Sequence, residues 1–209
     1  MAHLYQATIT PTKLEMLAAW APHRPWYAGS GTPTVLGAYR FDDPAGEVGI
    51  ETFLVQAGDG PVLHVPVTYR GAPLAGAEDA LVTEMQHSVL GPRWVYDGCA
   101  DPAYAAALAT TILRGGREAT MQVEVDGELT TRETTTFVNG SGLAGAPVPE
   151  ITTVERHEVP GCTVIEAGGL ELTVCRVVSP PSTLDTTGTR TLVGRWPNNS
   201  TPTLLALAR

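Results

Sequence analysis

Few residues in this sequence are equipped for chemistry, and those few lie scattered. Lys13 is the only lysine, so Schiff-base formation or an ammonium clamp on phosphate has a single candidate. A phosphate cradle would need GxxxxGK[ST] or GxGxxG, and neither occurs; Gly29-Ser30-Gly31 and Gly140-Ser141-Gly142 read as short flexible turns. Neither of those serines sits in the GxSxG strand-to-helix turn of a hydrolase nucleophile. The five histidines, His3, His23, His64, His87 and His157, show no HxH or HxxxH spacing, which argues against a metal centre. His64 lies inside an apolar run and reads as a sheet-face histidine hydrogen-bonded to backbone. Cys99, Cys162 and Cys175 are odd in number and lack CxxC spacing, so neither a disulfide framework nor zinc is signalled, and buried thiols are expected. Asp42-Asp43 precede Pro44 and read as turn formers, while Glu166 and Glu171 flank Gly168-Gly169 and are expected to face solvent across a hairpin. No catalytic residue, metal ligand or cofactor is assigned.

The residue types best suited to hold a ligand are aromatics beside arginines. Arg24, Trp26 and Tyr27 share a proline-rich loop, Arg93, Trp94 and Tyr96 form a second group, and Trp196 lies in GRWP. Aromatic faces stack on sugar rings and guanidinium groups hydrogen-bond hydroxyls, which makes these seven the candidate carbohydrate-binding residues. Core or interface packing is the competing reading of the same side chains.

Composition narrows the partners. A formal net charge of -9 repels phosphate backbones and anionic lipid, so neither nucleic acid nor a membrane surface is expected. Hydrophobic residues at 43% and charged residues at 17% place the chain with ordinary globular proteins. The near absence of lysine, with abundant Ala, Gly, Pro and Thr, looks like high-G+C coding bias. The start MAHLYQATIT lacks a basic segment followed by an apolar run, and no stretch approaches about 18 apolar residues, so a cytoplasmic protein is expected.

The elements that must position these residues are mostly strands. Alternation over residues 3–9 predicts a first strand, and residues 10–20 a helix with Thr10 as N-cap, Pro11 next, and Leu14, Leu17 and Ala18 on one face. Strand-like runs at 35–41, 47–56 and 62–70 follow, separated by short Gly/Asp turns that favour sequential antiparallel pairing. In the third run, Leu63, Val65, Val67 and Tyr69 form a uniformly apolar face, predicted to meet the first helix. After a polar connection comes a short strand at 93–96. Asp101 and Pro102 then open a second helix that stops at Gly115-Gly116. Strands are read at 118–126, 128–139 with a Gly127 turn between, 151–159, 163–166, 170–178, 189–196 and 203–208. The Gly/Pro-rich stretch 140–149 is either a domain linker or a long hairpin connection.

Certain of these stretches resemble a known family. The opening strand and helix, FDDPAGEVGIETFLV at 41–55, VLHVPVTYRGAPL at 62–74 and HSVLGPRWVYDGCADPAY at 87–104 are similar to the N-terminal cap of maltokinase-like sugar kinases, of the aminoglycoside-phosphotransferase type. More faintly, CTVIEAGGLELTVCRVV at 162–178 resembles a hairpin in the following lobe whose returning strand offers a lysine to ATP phosphates. The resemblance puts Thr173 in that lysine's place and retains Arg176. In such kinases a helical lobe carrying the catalytic and metal-binding aspartates comes next, and with the sequence ending at Arg209 that lobe is expected to be absent.

These readings combine into an α+β fold: strongly curved antiparallel sheet with two packed helices, a cap-like region over 1–116 and a β-rich region over 117–209, either separate or fused. The function expected from the resemblance is a non-catalytic accessory, regulatory or binding protein of trehalose, maltose or α-glucan metabolism. Its expected partner is a sugar kinase, an α-glucan or trehalose enzyme, or a carbohydrate, and exposed strand edges make self-association a further expectation. The alternative is a small enzyme of unrecognised type acting on a carbohydrate or sugar phosphate.

Overall fold

The computed structural model describes residues 2–4, 7–125, 128–132, 134–179 and 184–209. The chain opens with β1 (Ala2–Leu4), β2 (Ile9–Thr10) and α1 (Lys13–Trp20). A meander of β3 (Pro33–Phe41), β4 (Gly49–Ala57) and β5 (Val62–Arg70) is followed by the hairpin β6 (Leu81–His87) and β7 (Gly91–Asp97), then α2 (Pro102–Arg114). Beyond α2 come β8 (Met121–Val125), β9 (Glu128–Arg132), β10 (Phe137–Gly140), β11 (Glu155–Val159), β12 (Cys162–Ala167), β13 (Leu170–Cys175) and β14 (Val177–Ser179). The last strands are β15 (Arg190–Trp196) and β16 (Asn199–Ala208).

The fold is α+β. Among the described residues the strands form three sheets: β2-β6-β7-β5-β4-β3, with β14 added to β5; β10-β15-β16-β13-β12-β11; and the small β1-β8-β9, in which β1 runs parallel to β8. Short turns set the meander as expected. Asp43 closes the β3–β4 turn by accepting the N–H groups of Ala45, Glu47 and Val48 at 3.1, 3.1 and 2.9 Å, the work of an aspartate turn former.

Strand β5 is the hinge of the layering, because its residues 62–68 are buried on both faces. Leu63, Val65 and Val67 pack with Met16, Leu17 and Trp20 of α1, the face expected to meet that helix. The opposite face of the same sheet contributes Ile50, Leu54 and Val62 to a second core that wraps α2 and continues into Ile165, Leu172, Val174 and Leu205 of the other sheet. The helix α2 therefore lies between two sheets. Its start is capped by Asp101, which accepts the Ala103 N–H at 2.9 Å, and it ends at Gly115, whose φ of 66° gives the left-handed cap that glycine adopts without strain.

Several expectations are corrected. The cap of α1 is Thr12, not Thr10: Thr12 and Glu15 form a reciprocal capping box, and Thr10 belongs to β2, paired with β6. The register shift buries Met16, Leu17 and Trp20, leaves Ala18 half-buried, and exposes Leu14. The run expected as one strand over 3–9 yields β1 and β2 in different sheets, with Tyr5 and Gln6 outside the described residues. The polar connection before β7 contains β6, missed because only Met85 in it is buried. The run 128–139 divides into β9 and β10; Glu133, like the expected turn at Asp126 and Gly127, lies outside the described residues.

The stretch 140–149 is not a hairpin connection, since β10 and β11 occupy opposite edges of their sheet. It runs past the end of α2, where Gly142 and Leu143 donate N–H to the Ile112 and Leu113 carbonyls at 2.9 and 3.0 Å, satisfying helix-terminal acceptors. Gly140 and Gly142 are required there, because an added Cβ would collide with the carbonyl oxygens of Thr111 and Leu113.

Candidate functional site

The expected strand 170–178 breaks at Arg176, and the break builds the most deeply buried charged centre. The Arg176 and Val177 N–H groups both donate to Gly161 O, at 2.8 and 3.1 Å, while Arg176 O accepts from His64 N at 2.9 Å. The chain thus leaves β13 in one sheet and enters β14 beside β5 in the other. The Arg176 side chain, with no exposed surface, donates from Nη2 to both Asp97 carboxylate oxygens at 2.7 Å and from Nε to Thr163 Oγ1 at 2.7 Å. Its guanidinium lies 5.0 Å from the centre of the Trp26 ring. Burial, the largest single influence, lowers the Arg176 pKa; the Asp97 charge and hydrogen bonds together with the nearby Cys99 and Glu158 outweigh it and hold the group above its ordinary value.

Two further ion pairs flank this centre. Asp101, besides capping α2, receives Arg70 Nε and Nη2 at 2.6 Å each and the Thr68 hydroxyl at 2.7 Å, so one carboxylate ties the end of β5 to the start of α2. Lys13 Nζ donates to Glu51 at 2.8 Å, and the Tyr69 hydroxyl donates to the same carboxylate at 3.0 Å. Burial and the Glu51 charge push the Tyr69 hydroxyl well above its ordinary pKa. The chain's single lysine is consequently engaged by a carboxylate.

His64 is hydrogen-bonded to backbone, as its place in the apolar run implied. Nδ1 donates to Cys175 O at 3.0 Å, a carbonyl that can only accept, which leaves Nε2 to accept from the Tyr39 hydroxyl at 2.8 Å. Burial drives its pKa from 6.5 down to about 3; the Cys175 carbonyl opposes this and the Arg176 charge adds to it. It is a neutral structural imidazole at ordinary pH.

The seven candidate ligand residues do not converge. Arg24 stacks over Trp20 at 5.0 Å, Trp26 lies 5.7 Å from Trp20 and is buried, and Tyr27 packs half-buried in the same α1-side core. Strand alternation in β7 separates the second group. Val95 joins the α1-side core, whereas Trp94 and Tyr96 pack with Leu74, Ala77, Ala80 and Ala100, and the Tyr96 hydroxyl accepts the Leu74 N–H at 2.9 Å. Arg93 Nη1 donates to Pro92 O at 3.0 Å. Trp196 is buried in the α2 core, across from Gly37, where an added Cβ would come within 3.3 Å of the Trp196 Cβ. Thr173, in the place of the resembling kinases' lysine, is buried between Val164 and Leu207 on the neighbouring strands.

An open cleft of about 450 Å³ lies at the far end of the second sheet, lined by Thr153, Glu155, Glu166, Glu171 and the Gly168-Gly169 turn. Glu155, Glu166 and Glu171 stand directly opposite one another across β11, β12 and β13, a row of like charge that repels anions. Among the described residues no group of three or more His, Cys, Asp or Glu is placed to hold a metal ion. No helix among them is long and apolar enough to cross a membrane.

Sequence reasoning missed the partners of Arg176 and Asp101. Asp97 lies 79 positions from Arg176 and Arg70 lies 31 from Asp101, so only the paired sheets bring them together. A comparison with curated proteins finds no match for the chain. The meander, the β6–β7 hairpin and Asp101 at the mouth of α2 are all covered by one family match: residues 20–101 fit the maltokinase N-terminal cap domain, and the chain thus carries a maltokinase cap-like domain.

Proposed function

We propose that this protein acts by binding, as a non-catalytic accessory or regulatory module of maltose, trehalose or α-glucan metabolism, with a sugar or a sugar-processing enzyme as its partner. The observation that carries the reading is the cap match together with the use made of the charged groups inside it. Arg70, Asp97 and Asp101 are committed to ion pairs that hold β5, β7, α2 and the β13–β14 crossing together, and Glu51 is committed to Lys13. Groups spent in this way fix the shape of a surface; they are not poised for proton or phosphoryl transfer, which needs a phosphate cradle, a positive clamp and metal-binding carboxylates. Arg24 and Tyr27, partly open side by side at the α1-side core, are the members of the aromatic and arginine set through which a sugar would be held.

The test combines binding with activity. Melting of the pure protein is followed with maltose, trehalose and glucosamine, and proteins retained by the tagged chain are identified and assayed as sugar kinases or glucan enzymes. The reading expects a ligand-dependent rise in melting temperature or a retained enzyme of that class. ATP-dependent phosphorylation of maltose or glucosamine by the pure chain would overturn it, as would the absence of both sugar binding and such a partner.

A further inference from the structure

Cys162 and Cys175 are direct cross-strand partners in the β12–β13 ladder. The adjacent pair, Gly161 and Arg176, is bridged by the Arg176 N–H to Gly161 O bond at 2.8 Å, so the alternation of an antiparallel ladder makes the cysteine pair a non-hydrogen-bonded one. At such positions the Cα atoms lie about 4.5 Å apart and the side chains are at their closest. That separation falls within the roughly 4.4–6.8 Å a disulfide spans. Both residues are buried thiols that follow or precede the Pro160-Gly161 turn and the Arg176 crossing. We propose that Cys162 and Cys175 form a reversible dithiol–disulfide pair, a modification site that takes a low-molecular-weight disulfide of the glutathione class as oxidant.

The chemistry of the two thiols agrees with this geometry. A hydrogen bond from Cys175 lowers the Cys162 pKa against the opposing effect of burial, and the Arg176 N–H and charge lower it further. Cys99 is the contrast: burial pushes its thiol well up, which keeps it protonated and inert. In the reaction the Cys162 thiolate attacks one sulfur of the oxidant, forming a mixed disulfide and releasing one small thiol. The Cys175 thiolate, having given up its proton, then attacks the Cys162 sulfur and expels the second small thiol. Two protein thiols are oxidised and one small disulfide is reduced. The new bond clamps the strand ends from which the chain crosses to β14 and the first sheet, so the redox state bears on the junction between the two sheets.

The experiment equilibrates the full chain in glutathione buffers from reducing to oxidising, quenches with acid, alkylates the remaining thiols and maps the peptides. The expected result is a bond between the Cys162 and Cys175 peptides, loss of two of the three alkylatable thiols, and reversal by dithiothreitol. Cys99→Ser retains the bond, whereas Cys162→Ser or Cys175→Ser abolishes it. The peptide map of the unaltered chain decides the matter if a variant fails to fold. Three alkylated thiols at the oxidising limit, a glutathione adduct that never resolves, or a bond involving Cys99 would each overturn the proposal.

Discussion

Replacing His64 by Gln should remove a loss of stability of about 2 kcal/mol between pH 7 and 5. In the folded chain the imidazole is neutral, its Nδ1–H given to Cys175 O and its Nε2 receiving the Tyr39 hydroxyl, and burial holds its pKa at about 3. In the unfolded chain the same group titrates near 6.5. Between those values the unfolded state carries a proton that the folded state does not, so stability falls as pH falls, by about 1.4 kcal/mol per pH unit once well below 6.5. From pH 7 to 5 the accumulated loss is about 2 kcal/mol, and it stops growing only below pH 3. Urea unfolding of wild type and His64→Gln at several pH values measures the effect, and comparing slopes removes whatever the substitution itself costs at pH 7. Parallel pH dependences for the two proteins would refute the reasoning, as would an NMR titration placing the His64 midpoint near 6.

Three further outcomes follow from the buried contacts. Arg176→Met leaves the Asp97 carboxylate buried without its cation and should cost about 3–5 kcal/mol by urea unfolding, with much of the loss recovered by also replacing Asp97 with Leu. Asp101→Ala removes a helix cap and also the partner of Arg70 and Thr68, so its cost should reach about 3 kcal/mol rather than the ~1 kcal/mol of a cap alone. Leu63→Ala opens a hole in the fully buried interface between β5 and α1 and should cost about 2–5 kcal/mol by urea unfolding; a cost below about 1 kcal/mol would refute this packing.

Local chemistry made much of this protein legible in its sequence. Asp101-Pro102 and Gly115 specify both ends of α2 through side-chain and left-handed caps, and the short Gly/Asp turns make β3, β4 and β5 sequential antiparallel neighbours. Alternation in β5 likewise determined which face meets α1, because a period of two assigns each side chain to a side. The capping box at Thr12 and Glu15 was written in the sequence too, but the nearer threonine and proline competed with it for the start of α1.

What only the tertiary structure decided is what lies on the far side of each face. No pattern within β5 announces that the side carrying His64 would be covered by α2 and the second sheet, since that burial depends on strands a hundred residues away. The same holds for Arg176. Within the strand read at 170–178, nothing local names the partners of Arg176; the crossing from β13 to β14 lays it against Asp97 and Trp26. The aromatic and arginine residues singled out for ligand binding were dispersed for related reasons: in β7 alternation sends Arg93 to the face opposite Trp94 and Tyr96, and the loop residue Trp26 is drawn under α1 only when the layers pack.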